Sequence, residues 1–486
     1  MDDQRFPFVV VANRLPVDRT QGEDGSPEWT RSPGGLVSAL DPIARSTGGA
    51  WVGWSGSPDE EIEPFEDGGL YLRPVPLSAD DVDRYYEGQS NSTIWPLFHD
   101  SVEQSVHRRA WRVAYEVVNR RFAEAAAEVA EDGATVWVHD YQLLLVPQLL
   151  RDLRPDLRIG FFLHIPFPPV ELFMQLPRRT ELLRGLLGAD LVGFQQPLAA
   201  QNFVRLAERL AGVRSEGERI EYEGRTVTAR AFPISIDVAE VDGLAADPEV
   251  QAEARRLRRD LGGDRRLLLG VDRLDYTKGI EQRIEAYGEL LAAGTISNDE
   301  AVLVQVATPS RMRVEQYRQL RERVEREVGR INGEFGRVGE PAIHYLIQPF
   351  DRAELAALYR TADVMVVTPL RDGMNLVAKE FVAARADGTG ALVLSEFAGA
   401  AAELEQAFLV NPHDVDGLKA TLLEAMSARP EDLAARMEAM RSHLDEHDIV
   451  AWARAYLTTL DRTGRVAAAI PKQTDPQQPV PSAASR

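Results

Sequence analysis

VVTPLRDGMNLVAKEF, residues 366–381, joins the end of an apolar run to the start of a helical one. Residues 364–367 are apolar and mostly β-branched, as in a strand covered on both faces. Residues 369–373 break that run, and helix formers fill 374–385. A strand, a glycine turn and a helix N-terminus make an anion site. The first N–H groups of a helix lack acceptors, and the helix dipole favours negative charge there. Asp372 and Glu380 flank this site. An ionised carboxylate only accepts hydrogen bonds, so its partner must donate, and sugar hydroxyls do. The stretch therefore reads as a nucleotide-sugar segment.

Working outward, similar apolar runs recur at 8–12, 135–138, 159–163, 191–194, 267–271, 302–306, 343–346, 392–394 and 408–410. Amphipathic stretches such as 281–292 and 312–330 lie between them. This pattern predicts parallel sheets flanked by helices, an α/β chain of doubly wound type. With 364–367 the strands number ten, too many for one ordinary sheet, so two sheets in two domains are expected. The predicted units are a Rossmann-like domain over 1–236 and a second over 237–447. A helix over 448–466 is expected to pack back across them. The tail at 467–486, rich in Pro, Gln and Ser, reads as disordered. Residues 19–31, polar and containing glycine, read as a mobile loop.

The chain has 486 residues and no cysteine. A disulfide scaffold, a thiol nucleophile and a thiolate metal site are excluded, and a reducing cytosol is the expected home. The opening MDDQRFPFVVVANR lacks a basic n-region, so no signal peptide is expected. No apolar run approaches the ~20 residues that span a bilayer. The net charge of −21 argues against nucleic acid as a partner. There is no GxxxxGK[ST] loop for a nucleotide triphosphate and no HExxH or similar metal-ligand pattern. His443 and His447 read as a solvated helix face.

Polar groups follow the strands. Asn13-Arg14 follows the first, His139-Asp140 the second, and His164 the third. Arg273 to Gly279, Thr308 to Arg311 and Arg371 to Gly373 follow later ones. Ligands of doubly wound sheets bind beyond the carboxyl ends of the strands, so the site is expected between the two domains. Arg273 and Lys278 on one loop suit a diphosphate, with Arg bidentate and Lys a point charge. His139 reads as a structural hydrogen bonder. Asp140 and His164 suit substrate hydroxyls or a developing charge. Gly34-Gly35 before a helical run suits an anion or a simple turn. Trp51, Trp54, Tyr86 and Trp95 suit either sugar stacking or core packing.

Taken together, these residues resemble glycosyltransferase family 20, the trehalose-6-phosphate synthase family of retaining nucleotide-sugar glycosyltransferases with GT-B architecture. The resemblance rests on VVANR, GGAWVGWSG, YY…WPLFH, VHDYQLLLVP, GFFLHIPFP, RLDYTKG, TPSR, GRINGEFG and TPLRDGMNLVAKEF, and covers residues 8 to about 461. It implies transfer of glucose from a nucleoside-diphosphate glucose to glucose 6-phosphate. UDP-glucose stands first as donor, with ADP- and GDP-glucose left open. On the donor side it implies Gly34 and Gly35 at the phosphates and Arg273 and Lys278 at the diphosphate. Asp372 and His164 would hold the glucose hydroxyls, Gly373, Met374, Asn375, Leu376 and Val377 would give further contacts, and Glu380 would hold the ribose diol. On the acceptor side it implies Arg14 and Arg311 at the 6-phosphate, with Trp54, Tyr86, Trp95 and Asp140 framing the sugar. Asp140, His164, Arg273, Lys278 and Asp372 form the implied catalytic set. No metal or other cofactor is implied, the location is cytoplasmic, no membrane partner is expected, and homo-oligomerisation is left open. The alternatives are a synthase with another phosphorylated acceptor, such as glycerol 3-phosphate, and a non-catalytic sugar-phosphate sensor.

Overall fold

The computed structural model describes residues 4–21, 27–32, 35–311 and 313–466. Two large sheets carry the fold. One runs in the order Arg214–Glu216, Arg219–Tyr222, Arg225–Ala231, Leu191–Phe194, Arg158–Phe162, Ala130–His139, Phe6–Arg14, Ala50–Trp54, Leu70–Pro74, Phe65–Asp67. It is parallel from Arg225–Ala231 through Leu70–Pro74, with antiparallel strands at both edges. The other runs Ile343–Leu346, Ala301–Thr308, Arg266–Arg273, Val364–Val367, Ala391–Ser395, Phe408–Val410 and is parallel throughout. The expected α/β architecture of two doubly wound halves is present.

Both sheets reverse their winding at a definite place. In the second, Arg266–Arg273 and Val364–Val367 are neighbours, and the chain winds outward from them in opposite directions. In the first, Phe6–Arg14 lies between Ala130–His139 and Ala50–Trp54. Helices cover opposite faces on either side of such a point, which leaves a crevice beyond the strand ends. The crevices therefore open at Arg14 and His139 in one lobe and at Arg273 and Thr368 in the other.

All ten apolar runs are strands, and most are buried on both faces; Val364–Val367, Leu191–Phe194 and Ala391–Ser395 are wholly inaccessible or nearly so, whereas Leu409 of the edge strand Phe408–Val410 is exposed. The helix expected over 281–292 spans Ile280–Ala292. The one expected over 312–330 spans Glu315–Phe335.

One expectation is overturned. Residues 19–31 are not a plain loop: Val17–Gln21 and Pro27–Arg31 pair as an antiparallel hairpin. Trp29 stacks on Phe65 at 4.8 Å and Arg19 pairs with Glu60 at 2.8 Å, which anchors the polar ribbon to the lobe. The expected tail at 467–486, residues 22–26 of the expected loop and Gly34 lie outside the described residues.

The last strand of the first sheet ends at Ala231, and Val238–Ala246 is the first helix on the other side. Helix Ile449–Val466 then returns to the first sheet. Tyr456 stacks on Trp137 at 4.4 Å and its hydroxyl donates to the Phe161 carbonyl at 2.9 Å. Trp452 Nε1 donates to the Phe232 carbonyl at 3.1 Å. At the crossing, the Ile449 N–H donates to the Ile236 carbonyl at 3.0 Å. Among the described residues no helix is long and apolar enough to cross a membrane.

Candidate active site

Strand Val364–Val367 delivers the opening stretch to the crevice. Helix Leu376–Ala384 begins two residues later than the sequence suggests, because Asn375 takes the N-cap. Its side chain accepts from the Ala378 N–H at 3.2 Å while its backbone sits at φ +79°. An asparagine tolerates that left-handed conformation better than most residues. Leu376 and Val377 form the first turn, where N–H groups have no acceptor within the helix.

Gly373 brings the lobes together. A Cβ on this residue would lie 2.2 Å from the His164 carbonyl oxygen, so only glycine admits the approach. Gly279 does the same within its lobe: its φ is +62°, and a Cβ would fall 1.9 Å from the Thr368 carbonyl oxygen. The Arg273–Gly279 loop is thereby seated on the strand that leads into Asp372.

The result is a tight constellation. Lys278 Nζ lies 2.6 Å from Asp372 Oδ2, and Asn375 Nδ2 donates to the same oxygen at 3.1 Å. Burial alone would push the Asp372 carboxyl up, but the Lys278 ammonium outweighs it and holds the group below its ordinary range. One cavity of about 470 Å³ is lined by Asp140, His164, Gln195, Arg273, Lys278, Asp372, Met374, Asn375, Leu376 and Val377. A neighbouring cavity of about 380 Å³ shares Asp272, Arg273, Leu376 and Val377, and adds Tyr359 and Glu380. The Tyr359 hydroxyl donates to Glu380 Oε2 at 2.9 Å. Gly373 lies behind this, in a third cavity of about 200 Å³ with Ile165 and Gln196.

Across the cleft, Asp140 sits at φ +74° and ψ 171°, a strained conformation held by its surroundings. Its carboxylate accepts from the His164 N–H at 3.2 Å. Burial pushes its pKa up to about 6, against the pull of the Tyr141 and His164 N–H groups and of Arg311 and Arg273. Burial drives His164 down to about 3, so its imidazole is neutral.

The residues expected at the acceptor form two arginine–tryptophan pairs. Arg14 lies 5.3 Å over Trp54, donates to Asp18 at 2.7 Å, and crowds Gly56. Tyr86 is 6.2 Å from the Trp54 ring. Arg311, from the other lobe, lies 3.8 Å over Trp95 and donates to the Tyr141 and Tyr317 hydroxyls at 2.9 and 2.7 Å. Arg273 lies 5.4 Å from the same Trp95 ring. Two buried donors in this half, Trp95 Nε1 and Arg311 Nε, have no acceptor, the kind of group an oxygen-rich ligand satisfies. Of the remaining expected positions, Gly35 opens helix Gly35–Ser46, and Gly34 is not described.

Several functional residues escape a reading of the sequence. Arg283 is fully buried and its Nη1 donates to Asp272 at 2.9 Å and Gln305 at 2.8 Å, beneath the Arg273 loop. Its signal was a charge on the apolar face of helix Ile280–Ala292. Tyr359 and Tyr317 gave none, since a ring on a helix face reads as core.

Comparison with known proteins agrees with this geometry. The family described as "Glycosyltransferase family 20" matches residues 7–462. A trehalose-6-phosphate synthase of Mycobacterium sp. (strain KMS) is 58% identical over 465 residues, covering 94% of this chain and 95% of that one. The crystal structure of a UDP-forming α,α-trehalose-phosphate synthase from Burkholderia vietnamiensis superposes with a TM-score of 0.89 at 36% identity, over 96% of this chain and 99% of that one. One from Burkholderia xenovorans, in complex with glucose 6-phosphate, gives a TM-score of 0.86 at 36% identity, over 93% and 99%. The two doubly wound lobes, the cleft between them and this match along nearly the whole chain make the protein a member of glycosyltransferase family 20.

Proposed function

We infer that the protein is a trehalose-6-phosphate synthase. It moves glucose from a nucleoside-diphosphate glucose to C1 of glucose 6-phosphate with retention, giving α,α-trehalose 6-phosphate. The observation that carries this is the Lys278–Asp372 pair at 2.6 Å, beside Arg273 and opposite Asp140 and His164 in one cavity. A cation and a carboxylate so close are matched to a ligand with a phosphate next to a polyol. As the diphosphate enters, Lys278 and Arg273 turn to it, and Asp372 is released to accept from glucose hydroxyls. Glu380, with one oxygen held by Tyr359, takes the ribose diol in the adjoining cavity.

The chemistry follows from charge. The glycosidic bond breaks with oxocarbenium character in the ring and negative charge on the diphosphate. Arg273, Lys278 and the first turn of helix Leu376–Ala384 meet that charge in a water-poor cleft. Attack comes from the face the diphosphate leaves, and a phosphate oxygen takes the acceptor proton. A double displacement would instead need a carboxylate nucleophile under the anomeric carbon. No step calls on a metal, so EDTA-treated protein is expected to retain full turnover. UDP-glucose stands first among the donors, in keeping with the UDP-forming names of the structural relatives. The acceptor phosphate falls to Arg14 and Arg311, and the enzyme works in the cytosol, where both substrates arise. Purified protein given glucose 6-phosphate and UDP-, ADP- or GDP-glucose in turn should release nucleoside diphosphate and form the disaccharide phosphate. No product with any donor, or faster turnover with glycerol 3-phosphate, overturns the assignment.

A further inference from the structure

His139 closes strand Ala130–His139 and is wholly buried. Its Nδ1 lies 3.1 Å from Nε2 of His164, with the rings 31° from parallel. His164 lines the donor cavity; His139 does not. The second nitrogen of His139, Nε2, is buried with no hydrogen-bond partner, on a ring whose centroid is 4.7 Å from that of Trp137. Burial depresses both imidazoles well below their ordinary value, and the proximity of the two rings adds to it at His139. Each ring therefore carries one proton, and a single proton occupies the contact between them.

Two arrangements satisfy that contact. If His139 Nδ1–H donates, His164 must carry its own proton on Nδ1. If His164 Nε2–H donates, His139 must carry its own on Nε2. Any mixed arrangement sets two hydrogens or two lone pairs against each other at 3.1 Å. The tautomers are thus locked together, and the free nitrogen of His164, Nδ1, is a donor in the first arrangement and an acceptor in the second. A sealed His139 Nε2 leaves water no route to relax the choice.

We propose that His139 is a positioning residue for the transfer: through one shared proton it fixes the ring plane of His164 and decides whether Nδ1 donates to or accepts from the donor sugar. The functional half of this rests on the reading of the cavity as the donor site, whereas the tautomer lock does not.

The test separates the two. Long-range ¹H–¹⁵N correlation spectra of ¹⁵N-histidine protein report the tautomer of each ring, with His139→Asn and His164→Gln giving the assignments. His139 and His164 are expected to show the same tautomer, both Nδ1–H or both Nε2–H. Unlike tautomers overturn the proposal whether or not the protein is a transferase. In the assay, His139→Asn keeps a group near the Nδ1 position that can donate or accept, and should retain most of the activity. His139→Leu removes it, should let the His164 tautomers mix, and should lower kcat by ~10-fold or more, the order of loss that a misplaced contact group gives. A His139→Leu protein with parental kcat and a single His164 tautomer refutes the role. Should that variant fail to fold, the match of tautomers in the unaltered protein decides.

Discussion

Lys278 and Asp372 each make the other tolerable in a dry place, and their substitutions should separate stability from catalysis. Lys278→Ala leaves a carboxylate buried without its cation, which costs about 3–5 kcal/mol in denaturant unfolding. It also removes the cation proposed for the leaving group, which is expected to cost ~10²-fold in turnover. Adding Asp372→Asn should restore most of the stability and none of the turnover. Recovery of both would show that Lys278 acts only as a structural partner. Asp140 carries the pH dependence. Its folded pKa of about 6 lies above the ~3.9 of an unfolded aspartate. Between those values the folded state holds a proton that the unfolded chain has released, so this group's contribution to stability falls as pH rises through the window. Activity is expected to move the opposite way, because the ionised carboxylate offers both oxygens and a full charge to the acceptor hydroxyls proposed for it, whereas protonation turns one oxygen into a donor. The KM for glucose 6-phosphate should rise as pH drops through about 6, and Asp140→Asn should abolish that acid limb. An unchanged limb assigns it to another group.

Helix Ile449–Val466 is the element whose role is simplest to measure. The Tyr456 hydroxyl shares its one proton between the carbonyls of Phe161 at 2.9 Å and Leu191 at 3.2 Å, on two neighbouring strands. Tyr456→Phe leaves two buried acceptors and should cost about 1–3 kcal/mol with turnover unchanged. A loss of turnover without loss of stability would move the helix from scaffold to mechanism. This helix was legible in the sequence, as were ten of the strands, since runs such as VVVAN and LLLGV have no competing period. Strands Ala50–Trp54 and Leu70–Pro74 were not, because AWVGW and LYLRP mix glycine, proline and arginine with apolar residues. The Val17–Gln21 hairpin was hidden for a related reason: its polar strands gain their stability from Trp29 and Arg19 reaching the lobe, contacts distant in sequence. The residues proposed for the donor were readable as a group because they follow strands. Arg283 and Tyr359 were not, because what marks them is a partner far along the chain.

Across the molecule, polar groups join the lobes alongside a buried apolar cluster that runs through both. Gln196 Nε2 donates to the Gly399 carbonyl at 2.9 Å, Arg311 reaches Tyr141, and buried Lys379 donates to the Ile234 carbonyl at 2.8 Å while pairing with Glu403. The His443 ring, expected on a solvated face, leans on that same Glu403 at 3.3 Å. Gly373 packs against the His164 backbone of the other lobe with no room for a Cβ, so Gly373→Ala should part the lobes. A larger radius of gyration by X-ray scattering and a turnover loss of ~10²-fold are expected, as for a misplacement of about 1 Å. A normal radius with normal turnover would mean the loops yield locally. The chain crosses between lobes twice, and the two crossings are tied where the Ile449 N–H meets the Ile236 carbonyl. The second crossing sends Trp452 and Tyr456 into the core beneath Trp137 and Phe162. A backbone cut at 233–235 therefore yields two pieces that need each other: the shorter has a bare aromatic face, and the longer carries the plug for it. Co-expressed halves divided there should reassemble into working transferase, a natural split reporter whose signal is trehalose phosphate.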